Sequence, residues 1–215
     1  MRRMLFEKTG TAIWMSHLDT MRLMQRAFRR AGVILHHSQG FTPHAYVSML
    51  LPLSVGVESV CEIMEYELDT DLQLTPEEMN AVLPEGVRVL RVYESARKAK
   101  ELTHLQAELT LVYDAGMPER AVKQIAECLS AKELPVEKRT KRGMEETDIR
   151  PMLKSCELVA GKRELRLRCV VCAQNPALNP MLLVSAIERY APEAMPDFSK
   201  CRRVEVLDAD GNVFR

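Results

Sequence analysis

Ser16-His17-Leu18-Asp19-Thr20-Met21-Arg22-Leu23-Met24-Gln25-Arg26-Ala27-Phe28-Arg29-Arg30-Ala31-Gly32 is the stretch on which the reading of this chain turns. Ser16 is a good N-cap, and Asp19 three residues on completes a capping-box pattern. Leu18, Met21, Met24, Ala27, Phe28 and Ala31 recur at the spacing of one buried helical face. Gly32 supplies the stop. Arg22, Arg26 and Arg29 fall on one outward stripe, with Arg30 beside it. A solvated face is the plainest account of such a stripe. The absence of interleaved acids after Asp19 favours a surface that faces an anion.

Working outward, residues 4–6 and 11–15 read as a first strand bent at Gly10. Residues 33–37 read as a strand, residues 38–44 as a turn with Gly40 and Pro43, and residues 46–53 as a strand that Gly56 breaks. Residues 60–68 mix apolar side chains with Glu62, Glu65 and Glu67, a half-buried strand. Thr75-Pro76-Glu77-Glu78 opens a short helix, with Thr75 as cap and Pro76 at the first helical position. That helix ends near Leu83-Pro84, and residues 87–93 form a closing strand. The order is βαββαβ, a ferredoxin-like plan.

Residues 95–100 form a polar connector, after which the plan recurs. Residues 108–113 are a strand and residues 117–129 a helix. Residues 136–142 are a basic strand or arm, and residues 149–153 and 155–159 are short extended segments. Residues 164–172 alternate well, with Leu165, Leu167 and Cys169 inward and Arg166 and Arg168 outward. A helix runs from Asn179-Pro180 to Tyr190, and residues 203–207 close the chain. The expected architecture is α+β, two tandem ferredoxin-like domains over residues 1–97 and 98–215.

Composition narrows the function. The 215 residues are 47% apolar, and 30 basic residues balance 30 acidic ones. The whole molecule is therefore not a generic polyanion binder, but its charge is uneven. Residues 1–47 carry Arg2, Arg3, Lys8, Arg22, Arg26, Arg29 and Arg30 against Glu7 and Asp19. Residues 48–92 carry acids from Glu58 to Glu85 against Arg88 and Arg91. One anion-facing surface on a polar molecule is the implication. No apolar run is long enough to span a membrane. Glu7 and Lys8 interrupt any signal-peptide core. Six cysteines in such a chain read as reduced thiols of a cytoplasmic protein.

Candidate functional side chains cluster early. His17, His36, His37 and His44 lie close in sequence, and imidazole serves acid–base, metal-binding and phosphate-contacting roles. His17 sits at a helix N-terminus, where backbone N–H groups attract anions. His44 follows an exposed Gly/Pro turn. Phe41, beside Gly40, is placed to stack on an unpaired base, as Trp14 and Tyr46 would be if exposed. The arm Lys138-Arg139-Thr140-Lys141-Arg142-Gly143 suits a phosphate backbone, and Arg166 and Arg168 would extend that surface. Cys169-Val170-Val171-Cys172 has metal-like spacing but lies in a strand, where residues three apart point to opposite faces. No metal or cofactor is therefore expected. The three-Cys motif of a radical S-adenosylmethionine (SAM) enzyme is absent, as are phosphate-loop, dinucleotide and nucleophile-elbow motifs.

Several stretches together resemble a family: Phe6-Glu7-Lys8-Thr9-Gly10, Ser16-His17-Leu18-Asp19, residues 25–32, Ser38-Gln39-Gly40-Phe41-Thr42-Pro43-His44 and residues 51–59. Asp148-Ile149-Arg150-Pro151 and Asn179-Pro180 look like its second-half landmarks. The family is the radical-SAM-associated domain of unknown function, found alone or fused behind cobalamin-binding radical SAM proteins. Its common turn has Asn where Thr42 stands here. The resemblance implies a stand-alone partner, in trans, of a radical SAM enzyme acting on RNA or the translation apparatus. A more distant likeness, at fold level only, is to the RAMP superfamily of CRISPR endoribonucleases.

The leading expectation is an RNA-binding accessory protein. Arg22, Arg26, Arg29, Arg30, Lys138, Arg139, Lys141 and Arg142 would contact phosphates, and His17, Phe41 and His44 would shape a pocket. The first alternative is a metal-independent endoribonuclease with His17 or His44 as the catalytic base. The second is a protein-docking module that uses the acidic segment 58–85 and ignores nucleic acid.

Overall fold

A computed structural model describes residues 1–140 and 143–215; for Arg139 and Thr140 the backbone alone is described. The chain divides into two compact units, Met1–Ala99 with Arg215, and Lys100–Phe214. Each is α+β.

The first unit contains β1 (Arg2–Lys8), α1 (His17–Arg30), β2 (Val47–Met49), β3 (Val57–Tyr66), α2 (Pro76–Asn80) and β4 (Val87–Glu94). Its sheet runs β4-β1-β3-β2 with every pair antiparallel. Period-two alternation divides β1 cleanly. Met4 and Phe6 face the helices, in one core with Met64, Tyr66, Val87, Val89, Met79 and the Met24, Ala27 and Phe28 face of α1. The rings of Phe28 and Tyr66 meet at 5.0 Å. Arg3 and Leu5 face the other way, opposite Glu65 and Ile63 of β3.

Local chemistry sets the helix ends. The Ser16 hydroxyl accepts from the Asp19 N–H at 3.1 Å and donates to the Asp19 carboxylate at 2.7 Å. That hydroxyl, with Arg22 behind it, holds the Asp19 carboxyl below the ordinary range. The box closes side chain to side chain here, because the short Asp reaches the hydroxyl. At α2 the longer Glu78 reaches back to the Thr75 N–H, 2.8 Å, and the reciprocal box forms.

The structure differs from expectation where strands are short. Residues 11–15 are not strand: Gly10–Trp14 is a 3-10 turn. Residues 33–37 make only isolated bridges, Leu35 to Leu68 and His37 to Ala45. The strand expected over 46–53 shrinks to Val47–Met49, since Pro52, with no N–H to donate, ends the apolar run in loop.

The second unit contains β5 (His104–Val112), α3 (Ala121–Leu129), β6 (Pro135–Thr140), β7 (Gly143–Asp148), β8 (Leu153–Ala160), β9 (Glu164–Cys172), α4 (Leu182–Tyr190) and β10 (Phe198–Leu207). The strands β10-β5-β9-β8 pair antiparallel in that order, and β6 and β7 form a separate hairpin. Without that hairpin the connectivity repeats the first unit. The described part of the basic arm thus lies on one strand of an inserted pair, β6. The segments 149–153 and 155–159 are a 3-10 turn, Arg150–Met152, followed by the single strand β8. Leu105, Ala107, Leu109 and Leu111 of β5 and Leu165, Leu167, Cys169 and Val171 of β9 are all buried. All six cysteines are free. Burial pushes the Cys169 thiol, which lies opposite Cys156, up to about 12 and Cys201 up to about 12.

Two outcomes follow for the first unit. Arg3 is fully buried, and its guanidinium donates to Glu65, Ser95 and the Arg97 carbonyl. Arg3→Ala leaves those acceptors unpaired and is expected to cost about 3–5 kcal/mol in urea denaturation. Burial raises the Tyr66 phenol to about 12, with Arg2 opposing and Glu94 adding to the shift. A raised native pKa means stability that is complete below the unfolded value and is lost as pH rises through the folded one. The wild type should therefore lose stability between about pH 10 and pH 12, and Tyr66→Phe should flatten that limb.

Candidate nucleic-acid interface

Because Met24, Ala27 and Phe28 of α1 turn inward, the arginine stripe is forced outward. Arg22, Arg26, Arg29 and Arg30 are all exposed. Two are engaged: Arg22 reaches Asp19 at 3.3 Å, and Arg30 donates to the Val82 carbonyl at 2.9 Å. Arg26 and Arg29 have no hydrogen-bond or ion-pair partner among the described residues. They form a ridge of unspent positive charge one helical turn apart.

α1 packs on β2, the strand that leaves the His-rich loop. That loop is a narrow hairpin-like excursion. The Tyr46 N–H donates to the His36 carbonyl, the Ser38 N–H to the His44 carbonyl, and the His44 N–H to the Ser38 hydroxyl. Gly40 at its tip has φ +137°, a conformation closed to L side chains. The neighbouring Phe41 is fully exposed, so its ring has no place in the core. Trp14 is 67% exposed, and its ring lies 3.4 Å from where a Cβ on Gly56 would stand. Tyr46 is 46% exposed. All three aromatic rings therefore present surface.

The histidines differ in equipment. His17 is the first residue of α1, with Nδ1 turned inward and lacking a hydrogen-bond partner among the described residues. His44 is exposed, and no hydrogen bond or ring contact joins it to His17. Neither has a carboxylate to orient it among the described residues. His36 does: its Nδ1 meets Asp69 at 2.5 Å while its ring stacks on Tyr46 at 5.1 Å. A carboxylate at Nδ1 requires the proton there and leaves Nε2 free as acceptor in the neutral ring. Asp69 is 33 residues away in sequence, and the pairing of residues 34–36 with 67–69 brings it near. His37 is spent on the Leu35 carbonyl. His104 is spent on Thr103 and the Asp208 carbonyl.

In the second unit the basic arm is less free than its composition implies. Lys138 pairs across the hairpin with Glu145, and Glu137 with Glu146. The Lys138 ammonium donates to the Ala177 carbonyl at 3.4 Å. Lys141, Arg142 and the side chain of Arg139 lie outside the described residues. Arg166 is half-buried and Arg168 exposed, and both are ion-paired, to Glu164 and to Glu108. Among the described residues no three His, Cys, Asp or Glu side chains converge as a metal site. No described helix is long and apolar enough to cross a membrane.

The His36 geometry has a direct spectroscopic test. In the neutral protein, nitrogen NMR should report the Nδ1–H tautomer at His36. Asp69→Ala should return the ring to the Nε2–H form that predominates in free imidazole side chains.

Among solved structures, a chain of a Cbf5-Nop10-Gar1 complex superimposes with a TM-score of 0.52 at 12% identity, over 95% of this chain and 48% of that one. The chain thus spans about half the length of that neighbour, and at this identity the likeness is one of fold alone. A chain from an unknown protein of Galdieria sulphuraria, also 12% identical, reaches a TM-score of only 0.24 over 94% of this chain and 95% of that one. No curated protein matches the sequence. The family described as an uncharacterized protein conserved in bacteria (DUF2344) matches residues 2–180, and the chain belongs to that family.

Proposed function

We propose that the protein is an RNA-binding accessory factor that works with a separate radical SAM enzyme. The observation that carries the RNA half is the pair Arg26 and Arg29, exposed on α1 without an acidic or carbonyl partner among the described residues. Cations that the fold leaves unspent suit phosphates, whose neutralisation releases condensed counterions. Phe41 and Trp14 add exposed rings in the same unit, and unpaired bases stack on such rings. The described part of the basic arm contributes less than its composition suggested, because Glu145 and Glu146 face it across the hairpin. The radical SAM half rests on the resemblance carried by the first sixty residues.

A nuclease reading would need His17 or His44 to take a 2′-hydroxyl proton. Neither histidine has an orienting partner among the described residues, so binding is the better supported activity.

The test is fluorescence anisotropy with a labelled single-stranded RNA of mixed sequence at low salt. Arg26→Glu with Arg29→Glu should weaken binding at least tenfold and lower the salt slope by about 1.4, roughly 0.7 for each phosphate no longer neutralised. Phe41→Ala should cost about 1–3 kcal/mol of binding. Absence of binding, or binding indifferent to the double reversal, rejects the proposal. Cleavage by the intact protein that is lost in His17→Ala/His44→Ala would make it a nuclease instead.

A further inference from the structure

The outer strands of the two sheets are guarded unequally. A sheet edge presents unpaired N–H and C=O groups, which proteins ordinarily shorten, cover or plug. In the first unit β2 is three residues long. The other edge, β4, is plugged by the Asn80 side chain, which donates to the Val89 carbonyl at 2.9 Å and accepts from the Val89 N–H at 2.8 Å. That amide occupies the place of a neighbouring strand.

β8 has neither protection. It is eight residues long and ends the strand order of its sheet. On its outer side the one described bond is the Arg150 guanidinium donating to the Leu153 carbonyl at 2.9 Å. Residues 154–160 have no partner there among the described residues.

A groove of about 220 Å³ lies between this edge and α3. Its apolar lining comes from Ala126, Leu129, Cys156 and Leu158, and its charge from Arg150 and Lys154, with no acid among the lining residues. Arg150 is held in place by its own turn. Asp148 accepts from the Arg150 N–H at 3.0 Å and from the Leu134 N–H at 2.7 Å, and Pro151 lies within the 3-10 turn Arg150–Met152. Lys154 is exposed and has no partner among the described residues.

We propose that β8 receives an extended segment of a partner protein as an added strand. The backbone of that segment would complete the β8 ladder. An apolar side chain would enter the groove, and flanking carboxylates would meet Arg150 and Lys154. Strand addition of this kind draws affinity from main-chain hydrogen bonds and specificity from pockets for alternate side chains. The positive, acid-free groove selects an acidic segment over a basic one.

The probe is an acetylated octapeptide, Glu-Thr-Leu-Thr-Leu-Thr-Glu-Thr, added to the full chain and followed by anisotropy and by amide hydrogen exchange. We expect saturable binding that slows exchange in Leu153–Ala160. Affinity should fall at least tenfold when Lys replaces Glu in the peptide, when its alternate backbone amides are N-methylated, and in Lys154→Glu. The last variant alters an exposed, unpartnered side chain and leaves the fold intact. The Arg26→Glu/Arg29→Glu variant should bind the peptide normally, which separates this surface from the RNA ridge. Unchanged β8 exchange, or equal affinity for acidic and basic peptides, overturns the proposal. So does β8 protection that grows with protein concentration alone, which would identify the occupant as a second copy of the chain.

Discussion

The buried guanidinium of Arg3 is the interaction on which the first unit depends. β1 lies between β4 and β3, and Arg3 projects from it on the side away from the helices. Desolvating a guanidinium costs several kcal/mol unless its donors are met. Here they are met by three residues on two segments: Glu65 Oε1 at 2.7 and 3.0 Å, the Ser95 hydroxyl at 2.9 Å and the Arg97 carbonyl at 2.5 Å. The Ser95 hydroxyl donates its own proton to the Arg215 carbonyl at 3.0 Å. One side chain therefore fixes the register of β1 against β3 and the course of the chain after β4. On the opposite face the same strand contributes Met4 and Phe6 to the core under α1. The alternation of β1 thus joins a polar clamp to an apolar core, and a one-residue slip would invert both.

That core determines which face α1 shows. Once Met24, Ala27 and Phe28 are buried, Arg22, Arg26, Arg29 and Arg30 have nowhere to point but outward. Among the described residues the fold supplies partners for two of them and none for the other two. The same economy recurs at the strand edges. Asn80 spends both ends of its amide on Val89, whereas nothing described covers β8. Surfaces where a protein leaves hydrogen-bonding capacity or charge unspent are where a partner gains most by arriving.

Much of this was legible in the chain. The apolar period of α1, the cap at Ser16, the Thr75-Pro76 helix start and the alternation over Glu164–Cys172 each depend on neighbours within a few residues, and the structure carries them, except that Leu18, expected on the buried face of α1, is 63% exposed. The weak points were segments whose state is set at a distance. Residues 33–37 have strand-like composition but find only single bridges. Residues 11–15 tighten into a 3-10 turn beneath which buried Lys8 donates to the Met15 carbonyl. The basic arm looked like a plain charge run because Glu145 and Glu146 come later in the chain and meet its described part, Glu137 and Lys138, through strand pairing.

By itself, then, the sequence determined the α+β class, the order of its main helices and strands, and the outward arginine stripe of α1. These follow from periodicity and capping, which act over one or two turns of chain. Only the tertiary structure decided which arginines lack partners among the described residues, that His36 gains a carboxylate, and that no described residue covers the edge strand β8. Each of those outcomes depends on groups far apart in sequence, Asp69 for His36 and Val82 for Arg30, whose proximity is created by strand register and by helix packing on the sheet.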